Sequence, residues 1–280
     1  MMVNNAAGCL YVVATPIGHL DDLSPRAAKV LAEVDLIAAE DTRHTQQLLA
    51  AKGLRRPLLA LHDHNESQQV EQLLARLRAG EHLALVSDAG TPLISDPGFR
   101  LVRAAREAGF KVSPIPGACA AIAALSVAGL ASDRFVFEGF LPAKASARRE
   151  RLQVLQDEPR TLLFYESSHR IEECLADMAA VLGSARQVVL ARELTKLFET
   201  VLSGSLEALC AQLAADANQR KGEFVVIVQG ADENTDATLR EGQRLFALLR
   251  DHLPASKAAK LAAEISGAPR KALYSAVSAD

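Results

Sequence analysis

The sequence predicts an α/β protein with two α/β domains and a short helical appendage. Three observations carry that prediction. Short apolar runs rich in Val, Leu and Ile alternate with longer amphipathic stretches, as repeated β-α units around a mostly parallel sheet require. A second series of such runs starts after residue 131. The chain, at 280 residues, is long enough for two cores.

In order, "CLYVVAT", "LIAAE", "PLLALH", "HLALVSD" and "KVSPI" read as five strands. The first helix is marked by Ser24 at its N-cap and Pro25 at its first position, with Ala27, Ala28, Val30 and Leu31 on helical spacing. The second series comprises "FVFEGF", "RTLLFYES", "QVVLARE", "ETVLSGS" and "FVVIVQG". "ETVLSGS" follows its predecessor closely enough to pair antiparallel, so the second sheet is expected to be mixed. The reading divides the chain into residues 1–117, 118–231 and 232–280. Ala231 to Thr238, polar and without period, is expected to be a linker, and two or three short helices follow.

Aromatics make up 4% of the chain and Trp is absent, so Ala, Leu and Val must fill the cores. Cys9, Cys119, Cys174 and Cys210 lie far apart with no CxxC spacing. That fits neither a zinc site nor a disulfide framework, and a reducing cytoplasm is the simplest setting. "GACAAIAALSVAGLA" is too short to span a bilayer. A net charge of −3 argues against a protein that coats nucleic acid non-specifically.

Ligands of parallel sheets gather at the carboxyl ends of the strands. Five loops rich in Gly, Pro, Thr, Asp and His fall there: "ATPIGHLDDLS", "AEDTRHT", "LHDHNES", "SDAGTPLISDPG" and "PIPGACA". Neither G-x-G-x-x-G, a P-loop, HExxH nor a paired Cys/His spacing occurs, so no metal is expected and a ligand must be held by another loop design. Gly90 would let backbone approach a ligand, Pro92 and Pro97 would stiffen the turn, and Asp88 and Thr91 offer polar groups.

These loops, with "FEGFLPAK", "YESSHRI", "ARELTKLFE" and "GEFVVIV", resemble the tetrapyrrole methylase family. They are most similar to its ribosomal RNA branch, which methylates the ribose 2′-hydroxyl of a decoding-region cytidine in 16S RNA. The similarity runs from about Leu10 to Val228 and resumes in "KAAKLAAEISGAPRKALY". It implies a class III methyltransferase fold with S-adenosylmethionine held in the cleft between the two domains by Pro16, Ala89, Gly90, Thr91, Ile94, Cys119, Ala120 and Tyr165. It further implies ribosomal RNA within the small subunit as partner, a homodimer and no membrane. His19 stands where that branch often carries Asn.

A base for the ribose hydroxyl would come from Glu40, Asp41, His62, His64 or Glu66, although Asp41 could equally cap a helix and Glu66 start one. Arg43 could pair internally or clamp a phosphate, and its planar fork suits the latter. Two segments are locally net +3: Lys144, Arg148, Arg149 and Arg151 with Glu150, and Lys257, Lys260, Arg270 and Lys271 with Glu264. Arg43, Lys144, Arg148, Arg149 and Lys271 are the expected RNA contacts, with Phe140, Tyr165 and Phe198 the aromatics available for base stacking. Two other readings compete. A tetrapyrrole C-methyltransferase would expect a closed apolar cleft without the "AEDTRHT" and "HDHNE" loops. A non-catalytic RNA-binding protein would not bind the cofactor.

Overall fold

The computed structural model describes residues 8–62, 64–231 and 235–275; Asp63 and residues 232–234 of the expected linker lie outside them. Strands β1 (Cys9–Val13), β2 (Leu36–Ala39), β3 (Leu58–Ala60), β4 (Leu83–Val86) and β5 (Lys111–Ile115) form one sheet in the order β3-β2-β4-β1-β5. All four pairings are parallel. β2 and β4 are buried throughout because helices cover both faces, which is why they read as unbroken apolar runs.

Alternate residues supply the two faces. Leu36, Ala38, Leu83 and Leu85 pack with Leu73 and Leu77 of α3 (Glu66–Arg78) and Leu101 of α4 (Phe99–Glu107). Ile37, Ala39, Ala84 and Val86 meet Ala27 and Leu31 of α1 (Pro25–Glu33) and Leu49 of α2 (Thr42–Ala51). α1 starts where its sequence signals place it. Ser24 Oγ accepts from Ala27 N at 3.1 Å, and Pro25, which lacks an N–H, fills the first position.

The second sheet is mixed, in the order β6-β7-β10-β8-β9: β6 (Phe135–Phe140), β7 (Thr161–Ser167), β8 (Gln187–Arg192), β9 (Thr200–Ser205) and β10 (Glu223–Val228). β6 and β7 are parallel and the other pairs antiparallel. One face carries α6 (Ala145–Val154), α7 (Ile171–Leu182) and α8 (Leu206–Ala215) over Phe164, Leu190 and Val226. On the other, α5 (Ala120–Val127) sets Ala121, Ala124 and Leu125 against Leu163, Val189, Ala191 and Ile227. The alanine-rich run thus joins the two sheets and packs on the second, where small side chains let helix and sheet approach closely.

Helices α9 (Thr235–Arg250), α10 (Ala255–Ser266) and α11 (Arg270–Ser275) enclose a separate small core around Phe246, Ala259, Ala262 and Leu273. Residues 235–238, expected as linker, form the first turn of α9 instead. Polar residues in a first turn leave no apolar repeat to detect. No helix among the described residues is long and apolar enough to cross a membrane.

Candidate active site

The loops after β1 and β4 leave adjacent strands and are stapled to each other. Thr15 N donates to Gly90 O at 2.8 Å and Gly90 N returns to Thr15 O at 3.1 Å. Gly90 has φ +81°, and a Cβ there would come 3.4 Å from Ile17 Cγ2, so this position requires glycine. Thr91 Oγ1 donates to Ala118 O at 2.9 Å, tying in the loop after β5.

This edge forms one wall of a cleft of about 320 Å³. Ile17, Glu40, Asp88, Ala89, Gly90, Thr91, Ile94, Ser95 and Asp96 line it from the first sheet's side. Tyr165 and Glu166 of β7, Phe224 and Val225 of β10, and Glu193 and Lys196 after β8 line it from the second. Tyr165 Oη accepts from Ala121 N at 3.1 Å, and its ring meets Phe137 and Phe140 edge-on with centroids 5.0 and 5.7 Å away. Burial pushes its phenol pKa well up, so the hydroxyl stays protonated. Six carboxylates and one ammonium line the cleft. That polarity suits a compact cationic ligand and repels the backbone of a nucleic acid.

Of the residues implied to hold the cofactor, Ala89, Gly90, Thr91, Ile94, Ala120 and Tyr165 line this one space. Pro16 sits half-buried beside the Thr15–Gly90 staple, but Ile17 is the residue that reaches the wall. Cys119 is the N-cap residue of α5 and its thiol lies against the Tyr165 hydroxyl.

The candidate bases separate. Glu40 lines the cleft, and its Oε2 accepts from Asp88 N at 3.3 Å. Asp41 caps α2, accepting from Arg43 N at 2.8 Å, and both its oxygens hold the Arg43 guanidinium. That guanidinium keeps the Asp41 carboxyl far below the usual carboxylate range. His64 is exposed and off the cleft, its ring edge-on to His62. Glu66 is buried and accepts from Leu101 N at 2.9 Å, tying α3 to α4. Asp41 and Glu66 therefore have structural duties here, and neither they nor His64 face the ligand space. His44, exposed, pairs with Asp88 at 3.0 Å, and this contact raises the histidine's pKa.

The first basic segment needs correcting as an RNA surface. Arg148 is 1% exposed and bonds Asp177 Oδ2 at 2.6 Å, while Arg149 bonds Asp177 Oδ1 at 2.6 Å. Arg151 forms a two-point pair with Glu138. The charge that looks like a basic run in sequence is met by acids from other elements; Arg148 cannot reach a phosphate, and Arg149 would have to leave a buried carboxylate. Lys144 is exposed ahead of α6. Lys271 and Arg270 sit on α11, where Arg270 reaches back to Ser256 O at 3.2 Å. Phe140 and Phe198 are exposed by 54% and 66%, Phe140 at the cleft.

Two features escaped sequence reasoning. Asp96 lines the cleft in the loop after β4, disguised by the Pro-Gly turn that follows it. The segment Glu193–Glu199 reaches back over the mouth: His19 N donates to Thr195 Oγ1 at 3.1 Å, and Lys196 bridges Glu193 and Glu223. The motif "ARELTKLFE" marks this segment by resemblance, but nothing in it tells that the segment returns to the loop after β1.

A model of the Tetrapyrrole (Corrin/Porphyrin) Methylases matches residues 9–210, and one of the RsmI C-terminal HTH domain matches residues 236–279. The chain is 67% identical to a ribosomal RNA small subunit methyltransferase I of Xylella fastidiosa (strain Temecula1), over 95% of this chain and 98% of that protein. It is 56% identical to the protein of that name from Escherichia coli O157:H7, over 97% and 95%. A uroporphyrin-III C-methyl transferase from Thermus thermophilus, solved with S-adenosyl homocysteine, shares the fold at 18% identity. Its TM-score is 0.55, with 79% of this chain and 97% of that one covered.

Proposed function

This chain belongs to the tetrapyrrole methylase family, and within it to the ribosomal RNA small subunit methyltransferase I group; we propose from that premise that it methylates a ribose 2′-hydroxyl of small-subunit ribosomal RNA, using S-adenosylmethionine. The observation that carries the reading is the convergence of Ala89, Gly90, Thr91, Ile94, Ala120 and Tyr165 on one acid-lined cleft, joined to a C-terminal segment matching an HTH domain. That appendage and the near full-length likeness to RNA enzymes favour RNA over a tetrapyrrole carbon as acceptor.

The residues fit the cofactor. The Gly90 cradle admits close approach of a flat ring, Ile17, Ile94 and Val225 offer apolar walls, and Glu40 and Asp88 supply acceptors and negative charge. When bound, S-adenosylmethionine supplies an electrophilic sulfonium methyl: an O–C bond forms as the C–S bond breaks, and the hydroxyl must release a proton. The chain's own contribution is alignment, since holding the nucleophile in line supplies most of the acceleration available. The acid lining admits a single extruded nucleotide while the phosphates stay outside on basic groups. Arg43, with its side chain 85% exposed, and the exposed Lys144 ahead of α6 are the proposed phosphate contacts, with Lys271 on the appendage. Phe140, exposed at the cleft, offers a stacking face for the base.

The acceptor is proposed to be the decoding-region cytidine of an assembled small subunit, in the cytoplasm. The working form is proposed as a homodimer, in which two-fold pairing would set one copy's basic surface beside the other's cleft.

Purified protein given tritiated S-adenosylmethionine and small subunits from cells lacking the enzyme should place label on a cytidine ribose. Cofactor binding with unlabelled RNA would transfer the search to small-molecule acceptors. Arg43→Ala should lower the slope of log affinity for RNA against log salt by about 1 and slow turnover, leaving the affinity for S-adenosylhomocysteine unchanged. Unchanged turnover and slope would confine Arg43 to its pairing with the α2 cap.

A further inference from the structure

Asp96 stands out among the cleft's acids because its charged neighbours are acids too. Asp88 binds Asp41 N and His44, Glu166 faces Arg170 at 3.2 Å, and Glu193 and Glu223 share Lys196. Asp96 instead faces Glu40 from the end of β2 and Asp88 from the end of β4, hydrogen-bonded by the buried Ser87 and near Tyr165 of β7. Across the cleft the charged groups are Glu166, paired with Arg170, and Lys196 with its two glutamates.

The backbone before it is held under strain. Leu93 and Ser95 have φ of 75° and 69°, left-handed values that non-glycine residues keep only where the surroundings over-determine them. Ser95 abuts β6 at its register shift: a Cβ on Gly139, itself at φ +64°, would lie 2.8 Å from Ser95 Oγ. The loop is thereby clamped between the two halves of the protein. It fixes Asp96 in the wall that also holds Gly90, Thr91 and Ile94.

We propose that Asp96 is the catalytic base, its carboxylate oxygen taking the proton of the ribose 2′-hydroxyl as that oxygen is methylated. The assignment rests on the methyl-transfer reading above. The step balances: the new O–C bond replaces the C–S bond, whose electron pair stays on sulfur, and the proton passes to Asp96 and then to water at the cleft mouth. Burial, reinforced by Glu40 and Asp88 and opposed by the Ser87 hydrogen bond, brings the Asp96 pKa up to about 7. A base of that strength is about half ionised at neutral pH, which balances available carboxylate against proton affinity.

The test compares Asp96→Asn with the wild type on small subunits in single turnover, with S-adenosylhomocysteine affinity measured by calorimetry. We expect cofactor affinity within about threefold and a rate lower by ~10²- to 10⁴-fold. The wild-type rate should rise with pH and level off above a midpoint near 7; the variant should lack that limb. Ser87→Ala removes a hydrogen bond to the carboxylate and should move the midpoint upward, giving a second readout from a protein that keeps Asp96. A third readout needs no turnover. A carboxyl whose pKa rises on folding stabilises the protein below its unfolded value, and that contribution is lost as pH climbs through the folded value. The wild type should therefore lose more thermal stability between pH 4 and 8 than Asp96→Asn does. Asp96→Asn within threefold of the wild-type rate, or an unmoved pH profile, refutes the assignment alone. A wild type that binds cofactor and labels no RNA refutes the substrate reading and this assignment with it.

Discussion

Thr91→Arg should lower the affinity for S-adenosylhomocysteine by at least ~100-fold, about 2.7 kcal/mol, while the protein stays folded. Thr91 is half-buried in the wall of a cleft of about 320 Å³, its hydroxyl directed to Ala118 O at 2.9 Å. An arginine there must project into the cleft, because the backbone behind it is stapled to Thr15 and cannot retreat. The new guanidinium would be held by the lining carboxylates, where it occupies the ligand's volume and takes up the acceptors the ligand would use. Calorimetry checks affinity and circular dichroism checks the fold. Micromolar binding by a folded variant would remove this loop from the cofactor site.

Asp177→Ala should destabilise the protein by about 3–5 kcal/mol, the usual cost of leaving one member of a buried ion pair alone. Its carboxylate is 5% exposed and bonds both Arg148 and Arg149, and the Arg148 side chain is 2% exposed. Without Asp177, Arg148 retains a 3.3 Å bond to Ala143 O and a longer, 3.6 Å contact to the exposed Glu173. Urea unfolding measures the loss, and a change under 1 kcal/mol would mean that water reaches the site. The same geometry alters what a charge reversal at Arg148 and Arg149 reports: weakened RNA binding by that pair would reflect a damaged second half, so Arg43 and Lys144 are the better probes of phosphate contact.

The strands were legible because each is a short apolar run bounded by turn residues, and α1 because Ser24 and Pro25 signal in adjacent positions. The mixed character of the second sheet was legible from the short gap between β8 and β9. Most of the residues that the resemblance groups together line one cleft, because they sit in or beside the loops that end the strands. Three things were hidden, each because it depends on groups distant in sequence. Arg148 reads as a solvated cation until Asp177, on another helix, is brought under it. Residues 235–238 read as linker because a polar first turn has no apolar period. Asp96 reads as a turn former, and burial in the cleft, reinforced by Glu40 and Asp88 brought beside it by β2 and β4, changes its chemistry.

The reciprocal pair of backbone hydrogen bonds between Thr15 and Gly90 has a consequence for how this protein can vary. Two loops separated by most of the first sheet's sequence behave as one rigid unit, so a substitution in either alters the frame that the other presents. Double-mutant cycles between Ile17 and Thr91 should show non-additive free energies, as neighbours sharing a backbone shift do. Sequence change at the ligand wall is thereby constrained to paired steps, with an altered first loop tolerated only alongside a compensating partner after β4.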